Sequence, residues 1–182
     1  MSKNILIIMG SPRKNGSTAA LCRQFAKGAE EAGHKVKTVN VIEDKINPCL
    51  GCNYCGSHNG QCCQPDAMRT IYQDFDKCDV IVLASPVYYY SITAQLKAFV
   101  DRLYAPGMGN GFKYDPKESV LIMTCGEAEK DVFDQPKMYY DNIRKRLFPW
   151  THRGEILETG FSAAPDVNEH KEALEAAYQL GK

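Results

Sequence analysis

Apolar residues fall in two kinds of pattern along this chain. Ile5-Leu-Ile-Ile-Met9, the run within Asp79–Ser85 and Val120–Thr124 are continuously apolar, as strands buried on both faces of a parallel sheet are. Between them the apolar residues recur every three or four positions: Leu21, Phe25, Ala29 and Ala32; Met68, Ile71, Tyr72 and Phe75; Leu96, Phe99, Val100 and Leu103; Tyr139, Ile143 and Leu147; Leu174, Ala177 and Tyr178. That spacing predicts helices with one buried stripe each. Lys35–Val41 alternates polar residues with Val36, Val39 and Val41 and reads as an edge strand, and Glu155–Thr159 reads as a short fifth strand. Gly33 is placed to end the first helix, Asp66 to start the second, and the closing helix runs from about Asn168 to Leu180. Three stretches carry no period: a cysteine-rich loop from Pro48 to about Pro65, a Gly-rich loop over Ala105–Pro116 and a polar loop over Cys125–Gln135. Strand and helix alternate along the chain, which predicts a single α/β domain over 1–182. Its expected core is a five-stranded parallel sheet with helices on both faces and right-handed crossovers.

In such a sheet ligands bind beyond the C-terminal strand ends, where strand order reverses. The loop leaving the first strand, Gly10-Ser-Pro-Arg-Lys-Asn-Gly-Ser-Thr18, is built for an anion. The first N–H groups of the following helix have no internal partner, and the helix dipole adds positive charge there. Ser11, Ser17 and Thr18 add hydroxyls, and Arg13 adds a forked charged donor. An ordinary βα turn uses similar residues, but the combination points to a phosphate monoester. A Walker loop is excluded because no lysine follows Gly16, and a dinucleotide loop because no glycine lies between Gly10 and Gly16 at the required spacing.

Charge and cysteine content narrow the class. Lys plus Arg and Asp plus Glu both number 22, so the net charge is zero. With no basic block, nucleic acid is not an expected partner. The N-terminal apolar run is too short for a secretory core and no run reaches membrane-spanning length, so the expectation is a soluble, cytoplasmic protein with no membrane partner. Of 8 cysteines, Cys49, Cys52, Cys55, Cys62 and Cys63 crowd into one loop. A dense cluster of this kind in a cytosolic chain reads as a metal or redox site rather than a disulfide scaffold. Cys22, Cys78 and Cys125 sit among apolar neighbours and read as small core residues. Cys63-x5-Arg69-Thr70 matches the C-x5-R-[ST] pattern of a phosphatase loop, but without a glycine in between it reads as coincidence. The four histidines show no ligand spacing and read as surface or loop residues.

Pro86-Val-Tyr-Tyr-Tyr90 places aromatics at the end of the third predicted strand, beside the anion loop. An isoalloxazine ring needs flat apolar or aromatic walls; packing against a helix or a partner subunit is the alternative for these tyrosines. Taken together, Gly10-Ser-Pro-Arg, Gly16-Ser-Thr, Ser85-Pro-Val-Tyr and Leu96-Lys-Ala-Phe-Val-Asp-Arg102 resemble the NAD(P)H-dependent FMN reductase family of flavodoxin-like proteins. The resemblance extends over nearly the whole chain. It implies FMN with its phosphate on Ser11, Arg13, Gly16, Ser17 and Thr18. It implies ring contacts from Pro86, Val87, Tyr88 and Tyr89, with a further contribution from Thr124 to Gly126. It also implies NAD(P)H as electron donor, a quinone, nitro-compound, flavin or metal as acceptor, and a homodimer or homotetramer. Since the cofactor carries the chemistry, no obligatory acid–base residue is assigned.

The run Cys49-x2-Cys52-x2-Cys55-x6-Cys62 resembles the compact motif of the iron–sulfur flavoprotein branch of that family. Four soft ligands on one short loop suit a [4Fe–4S] cluster, whereas zinc sites usually separate two ligand pairs. A set of free or oxidisable thiols is the alternative, and electron transfer with a ferredoxin-like protein is the second functional reading.

Overall fold

The computed structural model describes residues 1–161 and 170–182. Five parallel strands form one sheet: β1 (Asn4–Met9), β2 (Lys35–Asn40), β3 (Val80–Pro86), β4 (Lys117–Thr124) and β5 (Trp150–Glu158), in the order β2-β1-β3-β4-β5. This is the flavodoxin-like order, with its reversal between β1 and β3. The predicted edge strand is β2. Both later strands start earlier than their apolar runs, because Lys117 and Trp150 extend the ladder at the sheet's N-terminal edge.

Alternate side chains along the central strands feed two cores. Ile5, Ile7, Val80, Val82, Val120 and Ile122 pack under α1 (Ser17–Glu31) and α7 (Lys171–Gly181). Leu6, Ile8, Ile81, Leu83, Leu121 and Met123 pack under α3 (Met68–Lys77), α4 (Ala94–Arg102) and α6 (Asp134–Arg146). Cys22 and Cys78 belong to these cores, and burial pushes their thiols up to about 12 and about 11 respectively, which suits packing rather than chemistry. α1 and α7 touch backbone to backbone: a Cβ on Gly28 would lie 2.0 Å from the Tyr178 carbonyl oxygen. Tyr178 also donates its hydroxyl to Glu31.

Several expectations need correction. The Gly-rich stretch is not a loop throughout, for Tyr104–Asn110 forms a helix, α5, ended by Gly111 at φ 66°. Close packing requires small residues here: Cβ atoms on Gly60, from the cysteine loop, and on Gly109 of α5 would lie 2.8 and 2.9 Å from the Ala105 and Asn59 carbonyl oxygens. The cysteine loop contains a single helical turn, α2 (Tyr54–Ser57). A 3-10 turn over Lys130–Phe133 precedes α6. Leu147 does not face inward. It caps α6 and stays exposed, while Phe148 enters the core and stacks on Trp150 at 4.4 Å. Ala32 is likewise exposed, as the C-cap of α1. His152 is not in a loop: it lies on β5, with Nδ1 3.0 Å from the Tyr140 hydroxyl. Asn168, the expected start of the last helix, lies outside the described residues.

Candidate flavin cradle and cysteine cavity

β1 and β3 end side by side, and their loops build the first site. Gly10 donates to the Ala84 carbonyl at 2.7 Å and accepts from Thr93 Oγ1 at 2.8 Å. There is no room for a side chain, since a Cβ there would lie 2.7 Å from Leu96 Cβ. Thr93 also caps α4, accepting from the Leu96 N–H, and its own N–H donates to Ser85 Oγ at 3.0 Å. Ser85 and Thr93, both buried, therefore lock the anion loop to the end of β3. The sequence motifs contain Ser85 but give no sign of this link, because it joins residues far apart in the chain.

Beyond Gly10, Ser11 Oγ accepts from the Arg13 N–H at 3.2 Å and shapes the turn. Gly16 heads α1 in extended conformation. No side chain caps that helix, and its first turn holds no acid. The leading N–H groups of α1 are thus presented to an anion with the helix dipole behind them. Thr18 Oγ1 shares a buried 2.7 Å hydrogen bond with Thr124 Oγ1, which ties the start of α1 to the end of β4.

These pieces enclose a cavity of about 80 Å³ lined by Ser11, Arg13, Gly16, Ser17, Thr18, Pro86, Val87, Tyr88, Thr124 and Gly126, with Cys125 and Phe161. At roughly 30 Å³ per water it has room for a few waters, the scale of one phosphate group. Ten of the eleven residues expected to bind cofactor line it together. The eleventh, Tyr89, is fully exposed and lines an adjoining hollow of about 500 Å³ with Val87, Tyr88, Tyr90, Cys125 and Gly126. Phe161 is a wall residue that the sequence reading did not assign, and Cys125, read as a small core residue, stands in the wall between Thr124 and Gly126. Burial raises the Cys125 thiol, so it stands in the wall as a neutral group.

Tyr88 and Ser91 pair across a two-residue turn, each N–H donating to the other's carbonyl at 3.0 and 3.1 Å. Its central residues, Tyr89 and Tyr90, have φ of 49° and 59°. Such turns normally carry Asn or Gly. Two tyrosines in left-handed backbone cost of order 1–3 kcal/mol each, and strain of this kind gathers at functional sites. Tyr-Tyr is not a turn signal, so the sequence offered no warning of it.

The cysteine loop leaves β2 at the same edge of the sheet but builds a separate cavity of about 670 Å³. Cys49, Cys52, Cys55 and Cys62 all line it, as does Cys63, with Arg102, Tyr104 and Ala105 as part of the wall. Among the described residues the thiols are not drawn together as a formed metal site. Their environments differ. The Tyr54 N–H and then the Cys63 thiol favour the thiolate of Cys52 and lower its pKa. Cys63 is raised, first by that same contact with Cys52. Burial raises Cys55, with Cys62, Cys49 and Cys52 adding to the effect. A raised, exposed Cys63 and an exposed Arg69 on α3 do not make the phosphatase loop that their spacing mimics.

One buried ion pair holds the base of this loop. Arg102 Nη1 and Nη2 donate to Asp66 Oδ2 and Oδ1 at 2.6 and 3.0 Å, and both side chains are buried, at 1% and 6% exposure. Asp66 also accepts from the N–H groups of Asn47 and Met68, and Arg102 donates to the Asn47 carbonyl at 2.9 Å. Burial alone would raise the Asp66 carboxyl; the Arg102 guanidinium and the Asn47 N–H hold it below the ordinary carboxylate value. Asp66 was expected only as a helix cap, and its bond to Met68 partly fulfils that role.

An anion cradle beside an aromatic shelf, at the switch point of a flavodoxin-like sheet, fits flavin mononucleotide. The class is that of NAD(P)H-dependent FMN oxidoreductases. The chain belongs to the NADPH-dependent FMN reductase family, whose sequence model matches residues 3–130. An iron-sulfur flavoprotein of Methanocaldococcus jannaschii is 36% identical over 98% of this chain and 93% of its own length. One from Archaeoglobus fulgidus is 40% identical, but over 55% of this chain and only 45% of that relative. The fold recurs in an NAD(P)H:quinone oxidoreductase from Methanothermobacter marburgensis, with TM-score 0.75, 15% identity, and coverage of 100% of this chain and 95% of the other. It recurs in an azoreductase from Bacillus anthracis with TM-score 0.72, 18% identity, and coverage of 100% and 99%. No helix among the described residues is long and apolar enough to cross a membrane.

Breaking the Asp66–Arg102 pair from one side leaves a buried charge alone. Asp66→Ala is expected to lose about 3–5 kcal/mol of stability in urea unfolding, and Asp66→Leu with Arg102→Met much less than the two single changes summed. A double-variant loss equal to the sum of the two single losses would show that the side chains are not coupled and that the pair does not anchor the loop.

Proposed function

We propose that this chain binds FMN, not FAD, in the β1–β3 cradle and uses NAD(P)H to reduce a small-molecule acceptor such as a quinone, nitro-compound, flavin or metal. The observation that carries this reading is the convergence of Ser11, Arg13, Ser17, Thr18 and the uncapped start of α1 on one phosphate-sized cavity. Pro86, Val87 and Tyr88 line it with Thr124 and Gly126, where a flavin ring would lie, and Tyr89 lines the adjoining hollow. Bound FMN supplies the transfer of electrons from a nicotinamide to an acceptor. The chain's own residues anchor and orient it, and the first-turn amides hold the phosphate charge.

A second reading, an electron carrier working with a ferredoxin-like protein, is favoured by relatives named iron-sulfur flavoprotein and by the thiols on one cavity. In both readings Cys49, Cys52, Cys55 and Cys62 would hold a [4Fe–4S] cluster. The donor set fits: thiolates are the ligands such clusters take, and the loop has left-handed glycines at Gly51 and Gly60 that let it wrap. The solvent-facing Tyr89, Tyr90 and Phe112 favour a homodimer or homotetramer, since exposed aromatics are enriched at interfaces.

Rapid steady-state NAD(P)H oxidation by the FMN-loaded chain separates the two readings; a protein that only exchanges single electrons with a ferredoxin would favour the carrier. Arg13→Ala should weaken FMN binding by about 1.5–3 kcal/mol, the range for a hydrogen bond to a charged group. Unchanged affinity, or FAD as the released flavin, would overturn the cradle assignment. Anaerobic reconstitution with iron and sulfide should give about four irons per chain and broad absorption near the flavin bands, lost in Cys52→Ala. Iron below one per chain, or full incorporation by the variant, counts against the cluster. Light scattering should show a dimer or larger; a monomer at micromolar concentration refutes the assembly.

A further inference from the structure

The cluster as proposed uses Cys49, Cys52, Cys55 and Cys62 and leaves the fifth thiol of the loop without a part. That thiol, Cys63, has its Sγ 3.7 Å from Sγ of Cys52, and both residues are exposed. A disulfide needs a sulfur separation of about 2.05 Å, so the two must close by about 1.6 Å. Neither residue sits in a helix or strand. Left-handed glycines lie close by in sequence, Gly51 at φ 62° and Gly60 at φ 78°, so the backbone on each side can turn. Cys55, by contrast, is held within α2 and is half-buried.

We propose that Cys52 and Cys63 form a reversible disulfide, closed by a peroxide, that takes the cysteine loop out of its metal-binding form. A peroxide oxidises one thiol to a sulfenic acid and releases a water. The second thiol then displaces the sulfenic oxygen as another water, leaving the S–S bond. The two electrons taken from the sulfurs reduce the O–O bond, and both thiol hydrogens leave in the waters. A dithiol reverses the step by exchange, returning two electrons and two protons. Closure consumes Cys52, a member of the ligand tetrad, so the disulfide and a cluster exclude each other. The fifth thiol thereby makes the loop a two-state site, open to metal when reduced and closed when oxidised. This goes beyond the function proposed above, and its first readout needs neither iron nor flavin.

The test starts from the full chain, freshly reduced, freed of iron and treated with limiting hydrogen peroxide. Chymotryptic cleavage after Tyr54 separates Cys52 from Cys63, so the bond appears as a cross-linked pair of peptides under non-reducing mass spectrometry. The expected result is a predominant Cys52–Cys63 link, abolished in Cys63→Ser and kept in Cys62→Ser. After peroxide, iron uptake during reconstitution should fall several-fold in the wild type and recover with dithiothreitol, while Cys63→Ser keeps its uptake. Disulfides spread evenly over the loop cysteines, a vicinal Cys62–Cys63 bond as the main product, or no cross-link at all would overturn the proposal. A chain that forms the Cys52–Cys63 link but, fully reduced, never takes up iron would overturn the cluster reading and with it the metal gating, while the reversible disulfide would stand.

Discussion

The carboxylate of Asp66 is the point on which the functional edge of this protein hangs. It gathers the Arg102 guanidinium and the N–H groups of Asn47 and Met68 in a buried place, so it joins both ends of the cysteine loop to α4. An isolated charge in that position would be costly, and so would the arginine without it. Each is tolerable because the other is present, and the geometry is bidentate. The long irregular loop between Asn47 and Asp66 therefore begins and ends at a fixed base, whatever its middle does. α4 in turn is capped by Thr93, whose hydroxyl holds Gly10. One helix thus braces the cysteine cavity at its C-terminal end and the anion cradle at its N-terminal end.

The two sites show different degrees of preparation. The cradle is built from backbone amides, buried hydroxyls and a strand switch point, all set by the sheet itself. Its groups are already fixed by the fold, and a preorganised site of this kind limits the cost of binding. The cysteine cavity has its ligands on one wall surface but not converged, as expected of a loop whose final shape a metal would impose. The strained Tyr89–Tyr90 turn lies between these extremes: its backbone is fixed by paired hydrogen bonds, yet both aromatic rings face solvent.

Much of this was readable from the residues. The continuous apolar runs predicted the central strands, the polar Lys35–Val41 run predicted the edge, and the Gly10–Thr18 loop drew attention to residues that line one cavity at the end of β1. These signals are local, and local periodicity is what sequence carries best. What escaped depended on distant partners. Ser85, Thr93 and Gly10 are joined across the sheet; Arg102 meets Asp66 from another helix; Phe148 replaces Leu147 because α6 ends one residue before the expected contact. The Tyr104–Asn110 helix was obscured by its own glycines, which read as loop formers; Gly109 lets Gly60 and Asn59 approach, and Gly107 leaves room for Phe112 and Tyr114. Family resemblance, not periodicity, singled out the ring-side residues of the cradle.

The contact between α1 and α7 bears on how the chain reaches this fold. Glu31 and Tyr178 are 147 positions apart, and the helices touch where Gly28 meets the Tyr178 carbonyl. During synthesis from the N-terminus, α1 exists long before its neighbour has left the ribosome. Until then Phe25 and Ala29 lean on the sheet without the cover that Ala173 and Ala177 later supply. Pairing elements so distant adds to contact order and slows folding, and partly covered apolar surface is where intermediates stick together. The helix that presents the cradle's amides is therefore among the first elements made and among the last to be enclosed.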